Sequence, residues 1–185
     1  MGANGSPSGP RLVAYGDSYV APGDHGEAVA PRSWLRLVDR PVFSLGHGGD
    51  GVADTLRVLE SSTFRPTQDV VLEVGINDVR RHGDTQLVEF VDDFGAVLDQ
   101  LAGARRVIVV LPLPIENWGP KGSEQALLLY RATEREIAAL HPNARVVDPL
   151  AQWDASTMLL PDGIHPDVPG RVVIAHAFLQ ALRSR

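Results

Sequence analysis

Five short apolar runs punctuate the chain, each ending at glycine or proline. They cover residues 11–15, 41–45, 69–74, 106–111 and 144–148 and stop at Gly16, Gly46, Gly75, Pro112 and Pro149. Most are continuous rather than alternating, which suits strands of a parallel sheet covered on both faces. Between them the apolar period lengthens. Residues 52–60 carry Val52, Leu56 and Leu59 at helical spacing, and residues 85–101 carry Leu87, Val91, Phe94, Val97, Leu98 and Leu101. Residues 124–140 add Leu127, Leu128, Ile137 and Leu140. A short helix is expected over 33–39 and a closing one over 172–182, with Asp167 as N-cap and Pro169 near the first turn. The alternation of strand and helix predicts a three-layer α/β domain. No repeat or linker divides residues 11–185, which read as one domain. Residues 1–10, rich in Gly, Ser and Pro, read as a flexible leader or a remnant of expression.

Composition narrows the function classes. Of 185 residues 44% are hydrophobic, enough for a sizeable core. A net charge of −6 argues against a nucleic-acid partner, which selects a basic surplus. The absence of cysteine excludes disulfides, thiolate catalysis and Cys-ligated zinc. Six histidines without a His-x-x-x-His pair predict no metal site, and no cofactor is expected. No apolar run approaches the ~20 residues of a membrane span. The first ten residues lack the basic and apolar regions of a signal peptide, so a cytoplasmic location is the favoured expectation. Nothing in the pattern speaks to oligomeric state.

Four segments at element boundaries carry the chemistry. Tyr15-Gly16-Asp17-Ser18-Tyr19 follows the first strand, and Gly46-His47-Gly48-Gly49-Asp50-Gly51 the second. Gly75-Ile76-Asn77-Asp78 follows the third, and Asp162-Gly163-Ile164-His165-Pro166 precedes the last helix. In parallel sheets ligands collect at the carboxyl ends of the strands, so these segments converge on one rim. Acyl transfer from an ester needs a hydroxyl that loses its proton on attack, a base near neutrality, and a carboxylate to orient that base. Ser18, His165 and Asp162 supply these types. The tetrahedral oxyanion needs preorganised donors. The Ser18 N–H, the Gly49 N–H and the Asn77 amide are the candidates, and glycine at 49 lets backbone approach a substrate.

Gly16-Asp17-Ser18, Gly49, Gly75-x-Asn77-Asp78 and Asp162-x-x-His165-Pro166 together resemble, in order and spacing, the four blocks of SGNH/GDSL hydrolases. The resemblance runs from position 16 to 166. It implies a flavodoxin-like fold with a five-stranded parallel sheet and metal-free hydrolysis through an acyl-serine. Ser18 would be the nucleophile, His165 base and then acid, and Asp162 its orienter. Ser18, Gly49 and Asn77 would form the oxyanion hole. A Gly-x-Ser-x-Gly elbow does not surround Ser18, which points away from the α/β-hydrolase arrangement. Two positions depart from the family pattern: Ser44 stands where Asn usually opens the second block, and Gly51 where Thr or Ser usually follows Gly-Asp.

Lesser candidates surround this set. His47, Arg80 and Trp118 are possible substrate-binding residues, and Trp153 is either a wall or a packing residue. Arg80, Arg81 and His82 read more readily as a solvated charge cluster. Asp17 and Asp78 read as braces of their loops, and His25, His82, His141 and His176 as ordinary surface or packing residues. The expected substrate is a small-molecule ester with a small or medium acyl group. An acyltransferase of the same chemistry and a binding module without turnover are the competing readings.

Overall fold

The computed structural model describes residues 12–23, 29–61 and 67–183; the expected leader and His25 lie outside them. Five strands form one sheet: β1 (Leu12–Gly16), β2 (Val42–Ser44), β3 (Asp69–Glu73), β4 (Arg106–Val110) and β5 (Ala144–Val147). All pairings are parallel, in the order β2-β1-β3-β4-β5. This is the doubly wound, flavodoxin-like arrangement that the family resemblance implies.

The continuous apolar runs have a simple cause. Successive side chains of a strand point to opposite faces, and here both faces are covered. Val13, Tyr15 and Leu72 point into a core with Phe90, Phe94 and Tyr130. Leu12, Ala14 and Val71 point into a second core with Trp34, Ile108 and Phe178. Helices α1 (Val52–Ser61), α3 (Leu87–Gln100) and α4 (Glu124–Ala139) supply the first layer, and α6 (Val168–Arg183) the second. Two short helices complete the set, α2 (Ile76–His82) and α5 (Ala155–Met158).

Four elements differ from the sequence expectation. The helix expected over 33–39 is a single 3-10 turn, Trp34–Leu37, capped by the Ser33 hydroxyl. Trp34 is buried there, its ring 5.0 Å from that of Phe178. Helix α6 starts four residues earlier than expected, because Asp167 accepts from the Gly170 N–H at 2.9 Å. Glycine stands at 170, inside the first turn, because a Cβ there would meet the Met158 carbonyl oxygen at 2.5 Å. Helices α2 and α5 are too short to show a period in the sequence.

The strand order reverses between β1 and β3, which opens a crevice at their carboxyl ends. The opposite rim is tied by the buried Asp69 carboxylate, which meets Arg40 at 3.2 Å, Arg105 at 2.6 Å and Arg106 at 2.8 Å. Burial opposes its ionisation, but hydrogen bonds from Arg106 and Arg105 prevail and hold the carboxyl below the usual range.

Candidate active site

Strand β1 ends at Gly16 with φ 138°, and a Cβ there would lie 1.8 Å from the Glu73 carbonyl oxygen. Only glycine permits this approach of β1 to β3. Beyond it, Asp17 accepts from the Tyr19 N–H at 2.9 Å, which fixes the turn carrying Ser18. The departure at Ser44 has a structural role. Its hydroxyl donates to the Val20 carbonyl and accepts from the Gly46 N–H, tying the first loop to the second.

The last segment brings its side chains to the same place. His165 Nε2 lies 2.9 Å from Ser18 Oγ, and His165 Nδ1 lies 2.9 Å from Asp162 Oδ2. The other carboxylate oxygen of Asp162 accepts from the Ile164 and His165 N–H groups, each at 2.9 Å. Burial raises its pKa, yet these hydrogen bonds and the imidazole outweigh burial and hold it at about 2. Asp162 is therefore anionic at neutral pH. The turn is braced from the loop after β4, where the Glu116 and Asn117 N–H groups both donate to the Gly163 carbonyl at 2.9 Å.

Tyr19 escaped the sequence reading. Its hydroxyl donates to the Ile164 carbonyl, and its ring centroid lies 5.9 Å from that of His165. Burial and the nearby Asp17 and Glu73 carboxyls raise its pKa well above 10, so it stays a donor. The signal was its place beside Ser18, but an apolar-looking neighbour of a turn is indistinguishable from core in sequence.

The second loop and α2 close the site from the other side. Gly49 adopts φ 91° and its carbonyl accepts from Arg81. Among the described residues no acceptor takes the Ser18 or Gly49 N–H. Gly75, at φ 99°, turns β3 into α2. Asn77, in the first turn of α2, is buried and donates to the Asp50 carbonyl at 3.0 Å and to Asp17 Oδ2 at 3.3 Å. Asp78 acts as a brace: its carboxylate accepts from the Val52 N–H at 3.2 Å, capping α1 from a distance. This explains Gly51, since a Cβ there would lie 2.6 Å from Asp78 Oδ1.

Beneath the loops lies a set of buried acids. Burial pushes Asp17 up to about 7, against the Tyr19 N–H, and Asp78 and Asp50 add to the rise. Glu73 is raised well above its ordinary value by burial and by Asp17, although the Trp34 indole donates to it at 2.9 Å. Glu134 is fully buried with neither carboxyl oxygen hydrogen-bonded, and burial raises it as well.

A cavity of about 410 Å³ is lined by Ser18 and His165 with Ala21, Ala30, Pro31 and Arg32. His47, Arg80 and Trp118 do not line it. His47 is 62% exposed, pairs with Asp50 at 3.4 Å and faces a larger open groove of about 840 Å³ that contains neither Ser18 nor His165. The chemistry therefore points to the smaller cavity. Arg80 donates to the Asn117 carbonyl at 3.1 Å, and Trp118 packs against the core. Trp153 is a packing residue, with its indole donating to the Pro114 carbonyl at 2.9 Å. Among the described residues no group of three or more histidine and acidic side chains is arranged to hold a metal, and no helix is long and apolar enough to cross a membrane.

Comparison with known proteins places these observations in context. A model of the GDSL-like Lipase/Acylhydrolase family matches residues 14–171. An acetylxylan esterase from Geobacillus stearothermophilus is 26% identical over 172 residues, spanning 84% of this chain and 76% of that protein. Among solved structures, an α/β hydrolase enzyme from the metagenome of Lake Arreo, Spain, is similar with TM-score 0.76 at 24% identity, covering 94% of each chain. An acetylxylan esterase from Geobacillus stearothermophilus gives TM-score 0.74 at 21% identity, covering 96% of each chain.

Proposed function

From a chain that belongs to the GDSL-like lipase/acylhydrolase family and is a carboxylic ester hydrolase, we propose a serine esterase that releases a small acyl group through an acyl-serine. The observation that carries this reading is the unbroken contact from Asp162 through His165 to Ser18, both links at 2.9 Å.

The mechanism follows from the hydrogen-bond directions. Anionic Asp162 accepts from His165 Nδ1–H and so selects the tautomer whose Nε2 is free to accept from Ser18. As Ser18 Oγ attacks the ester carbonyl, its proton passes to Nε2, and Asp162 stabilises the imidazolium. The carbonyl π electrons move to oxygen. That oxyanion is received by the Ser18 and Gly49 N–H groups and by the Asn77 amide, which turns one N–H from Asp17 Oδ2 or the Asp50 carbonyl to reach it; such donors are worth about 2.7–4 kcal/mol each in comparable sites. Collapse of the intermediate breaks the bond to the alcohol, which leaves with the proton from Nε2. Water then repeats the sequence on the acyl-serine, with His165 again as base and then acid, releasing the carboxylic acid and the free serine.

Hydrolysis is favoured over transfer to an alcohol because the triad is open to solvent. The His165 side chain is 27% exposed and that of Asp162 36%. Transfer requires water to be kept from the acyl-enzyme. The similarity to an acetylxylan esterase supports an acetyl ester as substrate. The test is a panel of p-nitrophenyl esters of graded chain length with acetylated xylo-oligosaccharides alongside. The reading expects acetate release that falls with acyl length. Equal rates from two to twelve carbons would exclude a short-acyl enzyme, and ester products formed with an added alcohol in preference to acid would favour the transferase.

A further inference from the structure

Arg32 lines the cavity that holds Ser18 and His165, and among the described residues its other neighbours there, Ala21, Ala30 and Pro31, are uncharged. It is exposed and makes no hydrogen bond or ion pair among the described residues. Other arginines near the rim are engaged: Arg80 with the Asn117 carbonyl, Arg81 with the Gly49 carbonyl, and Arg171 with the Pro31 carbonyl at 2.8 Å. In a chain of net charge −6, a guanidinium beside the reacting groups with no partner among the described residues is the exception.

Its backbone is fixed, although its guanidinium has no partner among the described residues. The Ala30 N–H donates to the Ala21 carbonyl at 2.9 Å. The Ser33 hydroxyl donates to the Tyr19 carbonyl at 2.6 Å. Arg171, from α6, holds the Pro31 carbonyl. The backbone of Arg32 is thus strapped to the loop that carries Ser18.

The side of the site also follows from geometry. Gly49 and Asn77 do not line this cavity, whereas His165 does. If His165 protonates the departing alcohol, as the reading above holds, the cavity receives the alcohol half of the ester rather than its carbonyl oxygen. Resting on that reading, we infer that Arg32 recognises a carboxylate on the alcohol half of the substrate, making the natural substrate class the acyl ester of a hydroxy acid or of a sugar acid. The planar guanidinium fork matches a carboxylate in bidentate fashion.

The experiment compares 4-(acetoxymethyl)benzoate with its methyl ester, so that acyl group and leaving-group skeleton are constant and only the charge differs. The readout is the ratio of kcat/KM for the anionic over the neutral ester, in wild type, Arg32→Gln, Arg32→Lys and Arg32→Glu. An exposed pair of this kind supports a change of about fivefold for Arg32→Gln. Charge reversal extends it to roughly twenty-fold, and Arg32→Lys keeps part of the preference. The change falls in KM, and it shrinks in 1 M salt as screening shortens to about 3 Å. A ratio that stays within twofold across the variants, with both esters cleaved, overturns the inference alone. Failure of wild type to cleave either ester counts against the hydrolase reading instead. A preference for p-nitrophenyl succinate over the acetate that Arg32→Gln abolishes would put the anion on the acyl half and overturn the assignment to the alcohol.

Discussion

Replacing Asp162 by Asn separates the charge of the site from its shape. The carboxylate accepts three hydrogen bonds at 2.9 Å, two from the Ile164 and His165 backbone and one from the His165 imidazole. Asn keeps one acceptor oxygen for the two backbone N–H groups, so the turn persists. The other atom becomes an NH₂ donor facing Nδ1. Imidazole then favours the tautomer with hydrogen on Nε2, which can donate to Ser18 but not take its proton. Loss of a general base in this way costs about 10⁴-fold in kcat in the serine protease precedent. The pair is more than a third exposed at Asp162, so the stability cost stays at about 1 kcal/mol or less. Asp162→Ala is the contrast: it removes the acceptor for both backbone donors and costs about 1–3 kcal/mol in addition. The assay is steady-state hydrolysis of p-nitrophenyl acetate with urea unfolding of each variant. Expected is a kcat drop of roughly 10³–10⁴ for Asp162→Asn at near-native stability. A kcat within tenfold of wild type would refute the reasoning.

Three further outcomes follow. Gly16→Ala combines a positive φ with a 1.8 Å contact to backbone and should destabilise by more than about 4 kcal/mol. Gly95→Ala, in α3 with nothing within 4 Å of its Cβ, should stabilise by about 0.5–1 kcal/mol, both read by urea melts. Asn77→Ala should lower kcat about 10²–10³-fold with little change in KM if the amide serves the oxyanion; an unchanged kcat would reassign it to holding Asp50 and Asp17 in place. The third concerns pH. Burial pushes the Asp17 carboxyl up to about 7 from its ordinary 3.8, so folding prefers its protonated form. That contribution is intact below about pH 4 and is lost as pH rises through about 7. Thermal melts of Asp17→Asn should therefore show a flatter pH dependence than wild type across this window.

Much of the fold was legible because the sheet is buried on both faces, which writes continuous apolar runs into β1, β3 and β4. The segments around Ser18, Gly49, Asn77 and Asp162 to His165 were legible because each sits at an element boundary. What escaped depends on contacts between distant segments. Helix α2 begins at an Asn-Asp pair that reads as a turn, and it is Gly75 at φ 99° that launches it. The start of α6 lies behind a Pro-Gly pair whose glycine is required by Met158 and Trp153. Tyr19, Glu73 and Glu134 look like ordinary positions until packing places them beside His165, Trp34 and Gly75. Position 51 reads as a departure from the family pattern, and only the Asp78 carboxylate against it shows why glycine stands there.

The central claim is that Ser18 is the nucleophile, activated by His165. The direct measurement is stoichiometric reaction with a fluorophosphonate, located by mass spectrometry of the digested protein. The account predicts one phosphonyl group per chain, on Ser18, with loss of esterase activity in step. It also predicts that His165→Ala slows labelling by orders of magnitude. Label on another residue, or hydrolysis that continues at full rate in Ser18→Ala, would contradict it.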